Sequence, residues 1–137
     1  MGELDEIYQQ ALRRHYEKPH NFGSLEGATS VGRATNPVCG DEVSVYVALA
    51  PDGVRAARFD GHLCAISKAS ASLMTDAVVG KTASEIGSLR DAFGRMMRGE
   101  DAVSLGDLDA LKGVRRYRVR VRCALLPWEA LASALKE

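Results

Sequence analysis

Three cysteines and one aspartate hold most of this chain's capacity for chemistry: Cys39 and Asp41 in Asn36-Pro37-Val38-Cys39-Gly40-Asp41, then Cys64, then Cys123. No other cysteine is present, and the three stand 25 and 59 residues apart. Three thiolates and a carboxylate make four ligands, the number a tetrahedral zinc or iron centre needs. Cys39 and Asp41 lie two apart in a loop shaped by Pro37 and Gly40, where both side chains can turn toward one point. Gly40 admits a tight, left-handed backbone there. Cys64 is expected to open a helix, where free N–H groups and the helix dipole favour a thiolate. Cys123 is expected just before another helix, with Arg122 beside it to stabilise negative charge. Such positions suit a ligand or a nucleophile. Free cysteine is also among the most buried residue types and is often plain packing. The spacing is not a CxxC…CxxC zinc pattern. On the residues alone, ligand, nucleophile and packing all stay open.

Other chemistries find less support. A thioredoxin-like redox role needs a CxxC pair, which is missing, and no GxxxxGK[ST] phosphate loop is present. A cysteine–histidine dyad would draw on His15, His20 or His62, but no local sequence singles one out. His62, two before Cys64, is a spare ligand or, more simply, an exposed loop histidine. Six basic residues fall between Lys112 and Arg122. They read as a solvated strand face, or as a docking strip for an acidic partner.

The elements that must position these residues follow from composition and period. The chain has 137 residues, 46% hydrophobic and 26% charged, which is ordinary globular composition and most simply one domain spanning 1–137. Lys+Arg 18 balances Asp+Glu 18, so no overall basic field draws nucleic acid or an anionic membrane. No apolar run approaches the roughly 20 residues that span a bilayer. The acidic start Met1-Gly2-Glu3-Leu4-Asp5-Glu6 lacks the features of a signal peptide. A cytoplasmic protein with reduced thiols is the default expectation, since three cysteines cannot all pair within one chain.

Leu4, Ile7, Tyr8, Ala11, Leu12 and His15 follow the helical period, and Pro19 ends that helix. The polar stretch Ser24 to Asn36 carries a short edge strand near Val31. Val43, Val45, Val47 and Leu49 have the two-residue period of a strand. Pro51-Asp52-Gly53 turns the chain, and Val54 to Asp60 returns antiparallel until Gly61 breaks it. Cys64 opens a helix with Ile66, Ala69, Leu73 and Ala77 on one face and Gly80 as C-cap. Thr82-Ala83-Ser84-Glu85 is a capping box before a helix carrying Ile86, Leu89, Phe93, Met96 and Met97. Residues 98 to 106 read as loop, followed by a short helix through Leu105, Leu108 and Leu111. Arg116 to Arg122 alternates arginines with Tyr117, Val119, Val121 and Cys123 and is expected to be extended, with Pro127 in the first turn of a last helix. The fold class is α+β, with about three antiparallel strands packed by helices.

Three ordered segments carry a resemblance across essentially the whole chain. Asn36-Pro37-Val38-Cys39-Gly40-Asp41, the run Cys64-Ala65-Ile66-Ser67-Lys68-Ala69-Ser70-Ala71-Ser72-Leu73-Met74-Thr75, and Val121-Arg122-Cys123-Ala124-Leu125-Leu126-Pro127-Trp128 resemble the IscU/NifU-N-terminal family of iron–sulfur cluster assembly proteins. The 59-residue gap from Cys64 to Cys123 resembles the SufU-like branch. IscU-type members place a histidine before the third cysteine and a Leu-Pro-Pro-Val-Lys chaperone motif upstream; Arg122 and Arg116-Tyr117-Arg118-Val119-Arg120 stand here instead.

The resemblance implies an IscU/SufU-like fold with the site at one end of a small sheet. It implies that Cys39, Asp41, Cys64 and Cys123 hold one zinc ion. It also implies that Cys39 accepts persulfide sulfur from a PLP-dependent, SufS-like cysteine desulfurase, leaving the metal to do so, while the hard oxygen of Asp41 eases opening of the site. The alternative is a scaffold that builds a nascent [2Fe–2S] cluster, or holds iron, on the same ligands and passes it to downstream Fe–S assembly proteins. A third reading is a small domain that zinc merely folds. Leu63 stands where the family commonly has glycine, and Glu129 where SufU-like members often have histidine.

Overall fold

In a computed structural model, residues 3–38, 40–100 and 103–136 are described, the side chains of residues 3–5 and 7 excepted. Cys39, and the side chains of Leu4 and Ile7, therefore lie outside the described residues. Helix α1 spans Glu3–Glu17. Strands β1 (Ser30–Asn36), β2 (Asp41–Ala50) and β3 (Gly53–His62) form an antiparallel sheet in the order β1-β2-β3. Helices α2 (Ala65–Val78) and α3 (Ala83–Met97) follow, then a run of 3₁₀ turns over Gly106–Arg116, then α4 (Arg118–Leu135). This is the expected α+β arrangement.

The alternation in β2 works as written: Val43, Val45 and Val47 are buried while Ser44, Tyr46 and Ala48 are only partly so. On β3 the inward residues are Val54, Ala57 and Phe59, and an irregularity beyond Ala48 shifts the pairing of Leu49 onto Val54. Gly61 does not break β3, which continues to His62. Its backbone has φ 141°, and a Cβ there would lie 2.1 Å from the Glu42 carbonyl oxygen, so glycine lets the two strands close together at the site end.

Helix α2 is the centre of the molecule. Ser67, Ala69 to Thr75 and Val78 are all buried, between α1, α4 and β3. Helix α4 lies against β1 and β2, with so little clearance at Gly32 that a Cβ would sit 1.9 Å from the Ala130 oxygen. Trp128 stacks on Phe93 at 4.7 Å and donates its indole N–H to Ser70 Oγ at 3.3 Å. The capping box is present on both sides, Thr82 N–H to Glu85 Oε1 at 2.9 Å and Glu85 N–H to Thr82 Oγ1 at 3.1 Å.

The C-terminal third corrects the sequence reading. Arg116 ends the 3₁₀ run and Arg118 to Arg122 are the first residues of α4, not a strand. The alternation presupposed a buried face, but Arg116 to Arg120 are all exposed. With nothing to bury, a two-residue period has no purchase, arginine is a good helix former, and the segment propagates the helix that follows. Pro127 consequently lies well inside α4, not in its first turn.

Candidate metal centre

Three elements converge at one end of the sheet. Asn36 and Asp41 are the closing pair of the β1–β2 hairpin. Its loop is held by Asn36, whose side-chain oxygen accepts the Val38 N–H at 3.2 Å and whose carbonyl accepts the Gly40 N–H at 2.8 Å. Gly40 has φ 77°, the left-handed conformation expected of it. Asp41 is thus fixed as the first residue of β2, and it is buried, 6% exposed. Cys64 is the N-cap of α2, and its sulfur accepts the Ser67 N–H at 3.4 Å. Cys123, 2% exposed, stands in the second turn of α4 rather than ahead of a helix, its thiol directed at the Val119 carbonyl at 3.7 Å.

One ligand atom from each of Asp41, Cys64 and Cys123 lies within 4.8 Å of the other two. In a tetrahedral zinc site such atoms stand about 3.5–3.8 Å apart, so closure by at most about 1.3 Å would bring the three to ligand spacing. The carboxylate makes the stronger case. Asp41 Oδ1 accepts the Cys64 N–H at 3.1 Å and Oδ2 accepts the Ser67 hydroxyl at 2.9 Å. Among the described residues no lysine or arginine pairs with it. A buried carboxylate beside two sulfurs and without a protein cation is a fitting place for a metal dication. Cys39, two positions before Asp41, is the fourth candidate ligand by sequence. His62 is exposed at the end of β3, in keeping with the simpler reading of it, and is not part of the cluster. Leu63 packs against the core and Glu129 is exposed.

Two residues were not anticipated. Ser67, fully buried, places its hydroxyl 2.9 Å from Asp41 Oδ2, 2.9 Å from the Cys123 carbonyl oxygen and 3.5 Å from the Cys64 sulfur. It touches all three of the clustered residues. Pro127 accounts for one of these contacts. An α-helical carbonyl accepts from the N–H four residues on, and four residues after Cys123 stands a proline, which has none. The Ser67 hydroxyl donates to that carbonyl instead. The spacing Cys64-x-x-Ser67 and Cys123-x-x-x-Pro127 was the available signal.

The NifU-like N terminal domain family model matches residues 7–136. The chain belongs to that family. It is 41% identical over 131 residues to the zinc-dependent sulfurtransferase SufU of Bacillus subtilis (strain 168), covering 93% of this chain and 88% of the relative. It is 37% identical to the iron-sulfur cluster assembly scaffold protein IscU of Streptococcus pyogenes serotype M1, covering 99% and 87%. Among solved structures it superimposes on a putative iron-sulfur cluster assembly scaffold protein for the SUF system from Fervidobacterium islandicum AW-1. The TM-score there is 0.85, with 35% identity over 98% of this chain and 99% of that one. The family is one of iron–sulfur cluster assembly, and the SufU-like branch agrees with the 41% relative. No helix among the described residues is long and apolar enough to cross a membrane.

Proposed function

We propose that this chain works as one domain in iron–sulfur cluster assembly, as a zinc-dependent sulfurtransferase that takes persulfide sulfur from a PLP-dependent cysteine desulfurase onto Cys39. The observation that carries the reading is the buried carboxylate of Asp41, clustered with the sulfurs of Cys64 and Cys123 and paired with no lysine or arginine among the described residues. The relative named a zinc-dependent sulfurtransferase supports it. Asp41, Cys64 and Cys123 would hold the ion together with Cys39, and the ion when bound would keep sulfur ligands as thiolates at neutral pH.

The transfer is an exchange at sulfur. The Cys39 thiolate attacks the outer sulfur of the desulfurase persulfide, the S–S bond there breaks, the desulfurase cysteine departs as a thiolate, and Cys39 carries the new persulfide. No net oxidation occurs. Asp41 and Ser67 keep the floor of the site in place while Cys39 reacts. The test is single-turnover transfer of radiolabelled sulfur from a desulfurase to the chain. Cys39→Ser is expected to abolish labelling while Cys64 and Cys123 still bind zinc; labelling at the parental rate in Cys39→Ser overturns the proposal.

A second reading, a scaffold that assembles and passes on a [2Fe–2S] cluster, draws on the similarity to the IscU scaffold protein. Anaerobic purification separates the two. About one zinc per chain without acid-labile sulfide favours sulfur transfer, and stoichiometric iron and sulfide favours the scaffold.

A further inference from the structure

A second group of metal-ligating side chains lies away from the cysteines. His15 stands in the last turn of α1, His20 in the loop that follows, and Asp76 near the end of α2. One ligand atom from each lies within 4.8 Å of the other two. We propose that His15, His20 and Asp76 form a second metal site, selective for a divalent first-row ion of the Fe²⁺ to Zn²⁺ range, with water completing its coordination.

The donor set decides the class of ion. Two imidazoles and one carboxylate suit iron, cobalt, nickel and zinc, whereas calcium and magnesium ask for oxygen ligands throughout and Cu(I) for sulfur. The Asp76 carboxylate adds an anionic donor to set against a dication.

The surroundings are built as ligand supports are built. His15 Nδ1 lies 2.7 Å from Ser72 Oγ, a hydroxyl that also accepts the His20 backbone N–H at 2.8 Å. In the tautomer that donates from Nδ1, the other nitrogen of the His15 ring keeps its lone pair. Asn21 donates to Asp76 Oδ1 at 2.9 Å and to Thr75 Oγ1 at 3.0 Å. To do so it takes φ 61°, the one positive φ at a non-glycine among the described residues. His20 Nδ1 meets Asp76 Oδ2 at 2.6 Å, and the two imidazole centroids are 4.6 Å apart. The His20 and Asp76 side chains are 56% and 46% exposed, which leaves an open side for water ligands. Twelve residues of α2 separate Asp76 from Cys64, about 18 Å along the helix axis, so the two sites would not share an ion.

The test is titration of zinc-loaded protein with Co²⁺, read by visible absorption and by paramagnetic shifts of the histidine ring protons. One further equivalent of Co²⁺ is expected, with d–d bands of nitrogen and oxygen ligation, no thiolate charge-transfer band, and shifted His15 and His20 resonances. His20→Ala and Asp76→Asn, both at exposed positions, are each expected to weaken that equivalent at least 10-fold, the least that losing even an outer support costs a site. Absence of a second equivalent at millimolar Co²⁺ overturns the proposal and makes the cluster a hydrogen-bonded latch between α1 and α2. So does a second equivalent that binds both variants as tightly as the parent. The cysteine site reports separately, through its zinc content and thiolate bands, so failure of one reading leaves the other measurable.

Discussion

Ser67→Ala removes a single hydroxyl from the middle of the cysteine site, and its cost can be worked from the contacts. The hydroxyl has one proton and two acceptors at 2.9 Å, the Asp41 carboxylate and the Cys123 carbonyl, so one strong bond is lost, not two. Because the acceptor is in part a buried carboxylate, the loss should be about 2–3 kcal/mol. At roughly 4 °C per kcal/mol for a domain of this size, Tm should fall by roughly 8–12 °C. Pro127 supplies the internal check. Pro127→Ala places a backbone N–H opposite the Cys123 carbonyl, so Ser67→Ala made in that background should cost about 1 kcal/mol less than in the parent.

Urea denaturation of the four proteins measures the coupling, with unchanged m-values showing that the native state is comparable. Zinc competition on the same proteins measures the functional side. Ser67→Ala should weaken binding by about 10–100-fold through loss of the Asp41 support. Ser70→Ala, which breaks the neighbouring contacts to the Ala124 carbonyl at 2.6 Å and to Trp128 at 3.3 Å, should lower stability without changing zinc affinity. The reasoning fails if Ser67→Ala costs under 0.5 kcal/mol on the order of an ordinary surface change, or if the two substitutions add without coupling.

Two further outcomes test the frame that holds the site. Gly32→Ala would drive a Cβ into the α4 backbone, 1.9 Å from the Ala130 oxygen and 2.5 Å from the Ala134 nitrogen, so it should cost at least about 3 kcal/mol by thermal denaturation; a loss under 1 kcal/mol on the order of routine substitutions would show that α4 can slide over β1. Thr82→Ala removes the oxygen that caps α3 and should lower stability by about 1 kcal/mol, with zinc binding unchanged because the clustered ligands stand on β2, α2 and α4 and not on α3. A Thr82→Ala protein as stable as the parent would show that the cap is redundant.

Much of this arrangement was legible in the residues, for identifiable reasons. The β2–β3 hairpin declared itself through Val43, Val45 and Val47 and the Pro51-Asp52-Gly53 turn, because one face of that ribbon is buried and enforces the alternation. Cys64 as the start of a helix followed from the apolar period behind it, and the structure gives it the N-cap. The start of α4 was misread because its alternation has no buried face to serve. Pro127 was misplaced because an interior helical proline is tolerated only where another donor attends to the orphaned carbonyl, and that donor comes from 60 residues away in sequence. Ser67 was invisible for the same reason. It is one of several small polar residues, with Ser70, Ser72 and Thr75, on a helix buried nearly all round, and only its tertiary partners set it apart.

These dependencies bear on which cysteine should react. Asp41 is fixed by strand pairing and two hydrogen bonds, Cys64 by the cap of a central helix, and Cys123 by burial within a helix that has Ser67 at its back. None of the three can travel far without breaking an element. The hairpin loop that carries Cys39 in sequence is different: Val38 is 79% exposed, and a Cβ at Gly40 would meet nothing within 4 Å. A sulfur-transfer site needs donors that stay and one thiol with room to meet a partner. With Asp41, Cys64 and Cys123 anchored, the proposed transfer falls to Cys39, and Cys39→Ser should separate sulfur acceptance from metal binding.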